Sequence, residues 1–154
     1  MTRRFSHLAI AAFAITLCLS ESIKAQSMST KSENGCATVT VDGRTVLKYF
    51  CEPHPYKLYI SELYTPSGVQ ILRDSPHDHV HHRALMYAIG IDGVDFWTEA
   101  AQQKPGKQAA DNFSTSGASD ASGVTVATMN QVVDWTTADD EVLAVEKRNI
   151  ELHC

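Results

Sequence analysis

The sequence predicts an all-β fold, an antiparallel β-sandwich, from three observations. Short runs of β-branched and aromatic residues recur along the chain, and Asp-Gly dipeptides separate two pairs of them. Outside the first 25 residues, no stretch shows helical periodicity for more than two turns. The chain has 154 residues, of which 44% are hydrophobic and 20% charged. That composition suits one folded domain rather than a disordered chain.

The first 25 residues are typical of a secretory signal peptide. Arg3 and Arg4 make the start positive, residues 8–19 are almost entirely apolar, and a polar stretch follows. The apolar run is too short to span a membrane comfortably, so we expect no stable membrane insertion after cleavage. The sequence therefore predicts an exported protein, periplasmic or extracellular. Residues 26–35 are rich in Ser, Lys and Asn, and we expect a flexible lead-in there.

The first strands of the predicted domain, which spans residues 36–154, form a hairpin. Residues 37–41 and 45–50 have strand composition, and Asp42 and Gly43 between them suit a tight turn in which both central residues take positive φ. We expect these strands to pair directly. Two shorter extended segments follow, at residues 58–64 and 69–72.

A second Asp-Gly turn divides the next apolar stretch. Residues 84–91 are apolar throughout, which predicts a strand buried on both faces, and Asp92 and Gly93 end it. Residues 100–122 are rich in Gln, Ala, Ser and Asp, so we expect a long surface loop with one helical turn near residues 100–103. The last predicted strands cover residues 124–135 and 142–152.

Charge and cysteine content limit the partners and the redox chemistry. The formal net charge is −5, and the sequence contains no cluster of Lys and Arg residues. We therefore expect no nucleic-acid partner. Cys36 and Cys51 lie on adjacent predicted strands, where export would permit a disulfide, and Cys154 would be left over. The spacing leaves open whether that disulfide forms.

Residues 73–83 concentrate the chemistry of the chain, with four of its seven histidines. Neutral imidazole binds zinc, copper, iron and nickel, and it titrates near neutral pH. Pro76 keeps the segment out of a helix, and in an extended backbone His77, His79 and His81 would point to one side. These three histidines are therefore the candidate ligands for a transition metal, the one cofactor that we consider.

The same segment supplies the candidate catalytic residues. His79, His81 and His82 could act as acid or base, while the planar donor fork of Arg83 could hold hydroxyls or a carboxylate. Glu99, which follows the second Asp-Gly turn, is a further candidate acid, base or ligand. The alternative is a hydrogen-bonded turn whose imidazoles only stabilise the fold. Aromatic residues flank the segment and could either pack on a sugar or fill the core: Tyr56, Tyr59, Tyr64, Tyr87, Phe96 and Trp97.

These motifs resemble the PmoA-like family of exported bacterial proteins, often labelled "methane oxygenase PmoA". Three blocks carry the resemblance, at residues 63–68, 73–83 and 93–99, and the His-His-Arg-Gly core of that family departs here only at Ala84. The resemblance implies a soluble exported protein of supersandwich type whose genomic neighbours process sugars. Because family members have about twice this length, it also implies an incomplete sandwich.

Three functions remain open from the sequence. The first is a carbohydrate-related protein that binds or processes a sugar or glycoside, so that its partner is a small-molecule or glycan ligand. The second, suggested by the family label, is a copper- or iron-dependent oxidoreductase. The third is a non-catalytic structural domain, and the residues alone do not decide whether the protein is an enzyme.

Overall fold

The described residues form three antiparallel sheets, which confirms the predicted all-β class. The computed structural model describes residues 26–119 and 124–154, so the predicted signal peptide lies outside the described residues. The first sheet has the order β1 (Met28–Glu33), β2 (Cys36–Val41), β3 (Arg44–Phe50) and β4 (Ile60–Leu63). A short ribbon pairs β5 (Gly90–Ile91) with β6 (Val94–Asp95). The third sheet has the order β7 (Lys107–Ser119), β8 (Thr125–Thr136) and β9 (Val142–His153).

The core lies between the first and third sheets. Alternate residues of β2 and β3 are buried, as the period of two in a strand requires. On β8 the same alternation buries one face along nearly the whole strand. Both faces contribute to one hydrophobic cluster, together with Phe96 from the segment after β6. Its largest members include Leu47, Tyr49, Met129, Val133, Trp135 and Phe96.

Both predicted Asp-Gly turns are present. Asp42 and Gly43 have φ of 49° and 76° between β2 and β3, and Asp92 and Gly93 have φ of 48° and 82° between β5 and β6. Positive φ at both central residues matches the right-handed twist of the flanking strands. The turn residues therefore predicted these two connections correctly.

Residues 26–35, where the sequence predicts a flexible lead-in, contain a β-strand in the structure. Met28–Glu33 forms β1, which pairs with β2 along its whole length. The turn between them contains Asn34 and Gly35, both with positive φ. An Asn-Gly dipeptide is as strong a hairpin signal as Asp-Gly. The sequence interpretation missed this hairpin because residues 28–33 are mostly polar. An exposed edge strand such as β1 needs few apolar residues.

Residues 84–91 do not form the expected strand buried on both faces. Only Gly90–Ile91 is a strand, and Leu85 makes a single bridge to Ile60. Leu85 and Tyr87 are 51% and 57% exposed. The apolar run is therefore only partly covered by the rest of the described fold.

Residues 107–119 were expected in a surface loop and instead form β7. This strand pairs with β8 through most of its length, with an irregularity between Asp111 and Ser114. Most of its side chains are exposed, so backbone pairing rather than apolar burial holds it in place. The expected helical turn is present as a 3-10 helix at Ala101–Gln103.

A buried polar network joins the two sheets of the sandwich. The Arg148 guanidinium donates to both carboxylate oxygens of Glu146, at 2.7 and 2.8 Å, and to the Tyr49 hydroxyl at 3.0 Å. That hydroxyl donates to Gln131 at 2.7 Å, and the Gln131 amide donates to the Cys51 carbonyl at 2.7 Å. Each buried polar group therefore has a partner, which keeps the network compatible with the core.

The cysteines among the described residues are free thiols. Cys36 is half-buried, Cys51 buried and Cys154 exposed. Burial raises the pKa of the Cys36 and Cys51 thiols, which keeps both protonated at neutral pH. Within the described ranges, no helix has the length and apolar character needed to cross a membrane.

Candidate functional site

Residues 73–83, which we call the histidine loop, fold into successive tight turns rather than an extended strand. The Ser75 amide donates to the His82 carbonyl at 3.0 Å, and the His82 amide donates to the His79 carbonyl at 2.9 Å. Ser75 has a positive φ of 46°, which helps the chain reverse there. The expectation that His77, His79 and His81 share one side of an extended backbone is therefore wrong.

Glu99 forms the centre of an ion-pair cluster beneath this loop. Arg83 donates to its two carboxylate oxygens, from Nε at 2.8 Å and from Nη2 at 2.5 Å. Lys57 Nζ lies 3.1 Å from Glu99 Oε1 and donates to the Trp97 carbonyl at 2.6 Å. The side chains of Lys57, Glu99 and Arg83 are only 2%, 10% and 13% exposed. We call these three residues the Glu99 cluster.

The electrostatics of the Glu99 cluster favour an ionised carboxylate. Burial raises the pKa of Glu99, but the hydrogen bonds from Arg83 and Lys57 outweigh it, so the pKa lies below its ordinary value. Burial lowers the pKa of Lys57, and the bond to Glu99 opposes that shift. A carboxylate held between two cations does not donate a proton near neutral pH, so the geometry argues against Glu99 as a general acid.

Arg83 is held on its other side as well. Its Nη1 donates to the Ser75 hydroxyl at 2.6 Å, and its guanidinium lies 5.7 Å from the ring centre of Tyr59. The Tyr59 hydroxyl donates to Asp74 at 3.2 Å. Burial and the nearby Asp74 carboxylate raise the pKa of Tyr59, which stays neutral. Nε, Nη1 and Nη2 of Arg83 thus each donate a hydrogen bond within the protein.

Three imidazoles and an indole form a partly exposed layer next to the Glu99 cluster. The His82 ring centre lies 4.7 Å from that of His79, 4.6 Å from that of His81 and 4.9 Å from that of Trp97. The His82 and Trp97 rings meet edge to face at 83°. Trp97 is 42% exposed. We call His79, His81, His82 and Trp97 the imidazole–indole surface.

Within this surface, the pKa of His82 is lowered. Partial desolvation and then the neighbouring His79 and His81 lower the pKa of His82. His82 is therefore neutral at pH 7, with one ring nitrogen free to donate and one to accept a hydrogen bond. Such a pair of functions suits a sugar hydroxyl, which both donates and accepts.

The predicted metal ligands do not converge. Among the described residues, ring contacts join His79 and His81 but do not include His77. No group of three or more His, Cys, Asp or Glu side chains in residues 26–119 and 124–154 has an arrangement that could hold a metal ion. The side chains as placed therefore do not fit a transition-metal centre.

Lys57 is the member of the Glu99 cluster that the sequence interpretation missed. It stands in the buried segment before β4, next to the fully buried Leu58 and Tyr59. A lysine among buried apolar residues needs an anionic partner, because an isolated buried charge is very costly. That signal was present in the sequence, but it did not identify Glu99, which lies 42 residues further on.

Comparison with known proteins gives one family and no individual relative. A family model described as "Family of unknown function (DUF6807)" matches residues 36–154. No curated protein matches the chain. No solved structure matches it either. The match covers β2 to β9 and the histidine loop between them, and the chain belongs to the DUF6807 family.

Proposed function

We propose that this chain is an exported protein that binds a sugar or glycoside on the imidazole–indole surface. One observation carries the proposal: a half-exposed Trp97 ring lies edge to face with the neutral His82 imidazole. An aromatic face packs against the apolar C–H face of a sugar, while imidazole nitrogens exchange hydrogen bonds with its hydroxyls. The predicted export signal and the resemblance to PmoA-like proteins support the same proposal.

Rigidity supports the proposal, since a site held in place loses less entropy on binding. Lys57 donates to the Trp97 carbonyl at 2.6 Å and approaches the His81 carbonyl at 3.5 Å. The two segments that carry the surface are thus fixed to one buried ammonium group. Arg83 and Glu99 position the surface from below and make no contact with the sugar in this proposal.

The test is titration calorimetry of the purified protein with neutral monosaccharides, uronic acids and aryl β-glycosides. We expect a sugar-dependent heat signal, and Trp97→Ala should weaken binding by roughly tenfold because it removes the stacking face. His82→Ala should weaken it similarly. His77→Gln is the matched control, since His77 lies in the same loop but outside the surface.

Two outcomes contradict the proposal. One is the absence of sugar binding across the panel, which would favour the structural alternative. The other is stabilisation by Cu²⁺, Fe²⁺ or Zn²⁺ that disappears in His82→Ala, which would favour the oxidoreductase alternative. If a bound glycoside is also cleaved, His82 is the group on this surface suited to accept a proton, since its lowered pKa leaves it neutral.

A further inference from the structure

The backbone of Trp97 is bonded on both sides by charged side chains. Its carbonyl accepts a hydrogen bond from Lys57 Nζ at 2.6 Å. Its amide donates to Asp95 Oδ1 at 2.7 Å, and the following amide, that of Thr98, donates to Asp95 Oδ2 at 3.3 Å. An aspartate that accepts from amides two and three residues further on closes a tight local turn. Asp95 thus holds the amide side of Trp97, while Lys57 holds its carbonyl side.

The backbone of Asp95 is itself fixed by the ribbon that carries it. Asp95 is the last residue of β6 and pairs with Gly90 of β5. Its carbonyl accepts from the Gly106 amide at 2.8 Å, and the next amide, that of Phe96, donates to the Ile89 carbonyl at 3.0 Å. The Asp95 carboxylate therefore reaches Trp97 from a defined position.

Burial of the neighbouring Phe96 anchors this segment but does not orient the indole. Phe96 is 1% exposed and packs against Trp135, with ring centres 4.9 Å apart. Trp97 is 42% exposed, so packing covers only part of its ring. The allowed rotamers of a side chain depend on its backbone φ and ψ. Bonds that fix the Trp97 backbone therefore also restrict the direction of its ring.

We propose that Asp95 is a positioning residue that orients the Trp97 indole for stacking on the sugar. This inference rests on the proposed function and extends it to a residue outside the imidazole–indole surface. A ring that is already oriented loses less side-chain entropy when a ligand docks on it. Without Asp95, the amide side of Trp97 loses its bond while the carbonyl side keeps Lys57, and the indole samples more orientations relative to His82.

Asp95 also acts on Lys57 through its charge. Burial lowers the pKa of Lys57, and the carboxylates of Glu99 and Asp95 oppose that shift. The bonds to the Trp97 backbone and the charge felt by Lys57 are separable by mutation. Asp95→Ala removes both, whereas Asp95→Asn removes the charge but keeps an oxygen that can accept from the Trp97 amide.

The test uses ¹⁵N relaxation of the two tryptophan indoles in the full chain. Trp135 is the internal reference, because its indole is 4% exposed and donates to Glu146 at 3.0 Å. We expect Asp95→Ala to lower the order parameter of the Trp97 indole and to leave that of Trp135 unchanged. Asp95→Asn should retain the order of Trp97. The melting temperature should change little, because the Asp95 side chain is exposed.

Calorimetry with phenyl β-D-glucoside then measures the effect on binding. Asp95→Ala should weaken binding about threefold, and Asp95→Asn should restore most of the affinity. Asp92→Asn is the matched control, since it removes the same charge from the turn of the same ribbon. Asparagine also tolerates the positive φ of 48° at that position, so this control should match the wild type in both measurements.

Three results would overturn the proposal. The Trp97 indole could stay equally ordered in Asp95→Ala, lose as much order in Asp95→Asn, or bind the glucoside as tightly once it has been loosened. Loss of order in both indoles with a lower melting temperature would show a general structural role and would also refute it. If the wild type binds no glycoside, the proposed function fails instead, and the relaxation of the Trp97 indole alone confirms or refutes its orientation by Asp95.

Discussion

Replacing Glu99 by Gln tests whether the Glu99 cluster is structural. The substitution keeps the side-chain shape but removes the charge that faces Lys57 at 3.1 Å and Arg83 at 2.5 Å. Two cations that are 2% and 13% exposed would lose their anionic partner. Breaking a buried ion pair typically costs about 3–5 kcal/mol. Since a domain of this size has about 5–15 kcal/mol of stability, the loss should be large but measurable.

The assay is urea unfolding at pH 7 followed by tryptophan fluorescence. Glu33→Gln is the matched control, because Glu33 pairs with Lys31 at 2.6 Å while both side chains are more than half exposed. That surface pair should contribute less than about 1 kcal/mol. A loss below about 1 kcal/mol for Glu99→Gln would refute the structural role and return Glu99 to the candidate catalytic groups.

The pH dependence provides a second readout of the same residue. The folded pKa of Glu99 lies below the ordinary value of 4.5, so the unfolded state binds its proton first as the pH falls. Its contribution to stability is complete above pH 4.5 and is lost as the pH falls through the folded pKa. Glu99→Gln should therefore flatten the acid limb of the stability profile. An unchanged acid limb would contradict the assignment.

Three further predictions concern the core and the thiols. Gly106→Ala should destabilise the fold by about 1–3 kcal/mol, because the added Cβ would overlap the ring of the buried Phe96; an unchanged melting temperature would show that the ring can move. Arg148→Leu should cost about 3–5 kcal/mol in urea unfolding, because it leaves a carboxylate without its guanidinium in the buried network; a smaller loss would mean that water replaces the cation. Iodoacetamide at pH 8 should label the exposed Cys154 well before the buried Cys51, whose pKa is raised, and peptide mass mapping would reveal the reverse order.

The two hairpins predicted from Asp-Gly dipeptides are confirmed, because the conformation of a tight turn depends on its own residues. Asp42 with Gly43 and Asp92 with Gly93 determine their turns through their own φ preferences. The prediction was wrong for β1 and β7, which hold their places by backbone pairing with β2 and β8. Backbone hydrogen bonds do not depend on side-chain pattern, so a polar edge strand resembles a loop in composition.

For the candidate site too, the sequence indicated the segment but not the contacts within it. The sequence drew attention to the histidine loop, and the structure brings His79, His81 and His82 together with Trp97. The structure also shows that Arg83 and Glu99 form an ion pair with each other and are largely buried. Neither the loop composition nor the spacing of its residues contained that information.

The sequence by itself determined the all-β class, two tight hairpins and the position of the imidazole-rich loop. These features depend on residues within a few positions of each other. Tertiary structure decided which distant side chains meet, since Lys57 contacts Glu99 across 42 residues and Tyr49 contacts Arg148 across 99. The physical reason is that burial and charge pairing depend on which segments pack together. A carboxylate is a proton donor or a fixed anion according to the cations that packing places beside it.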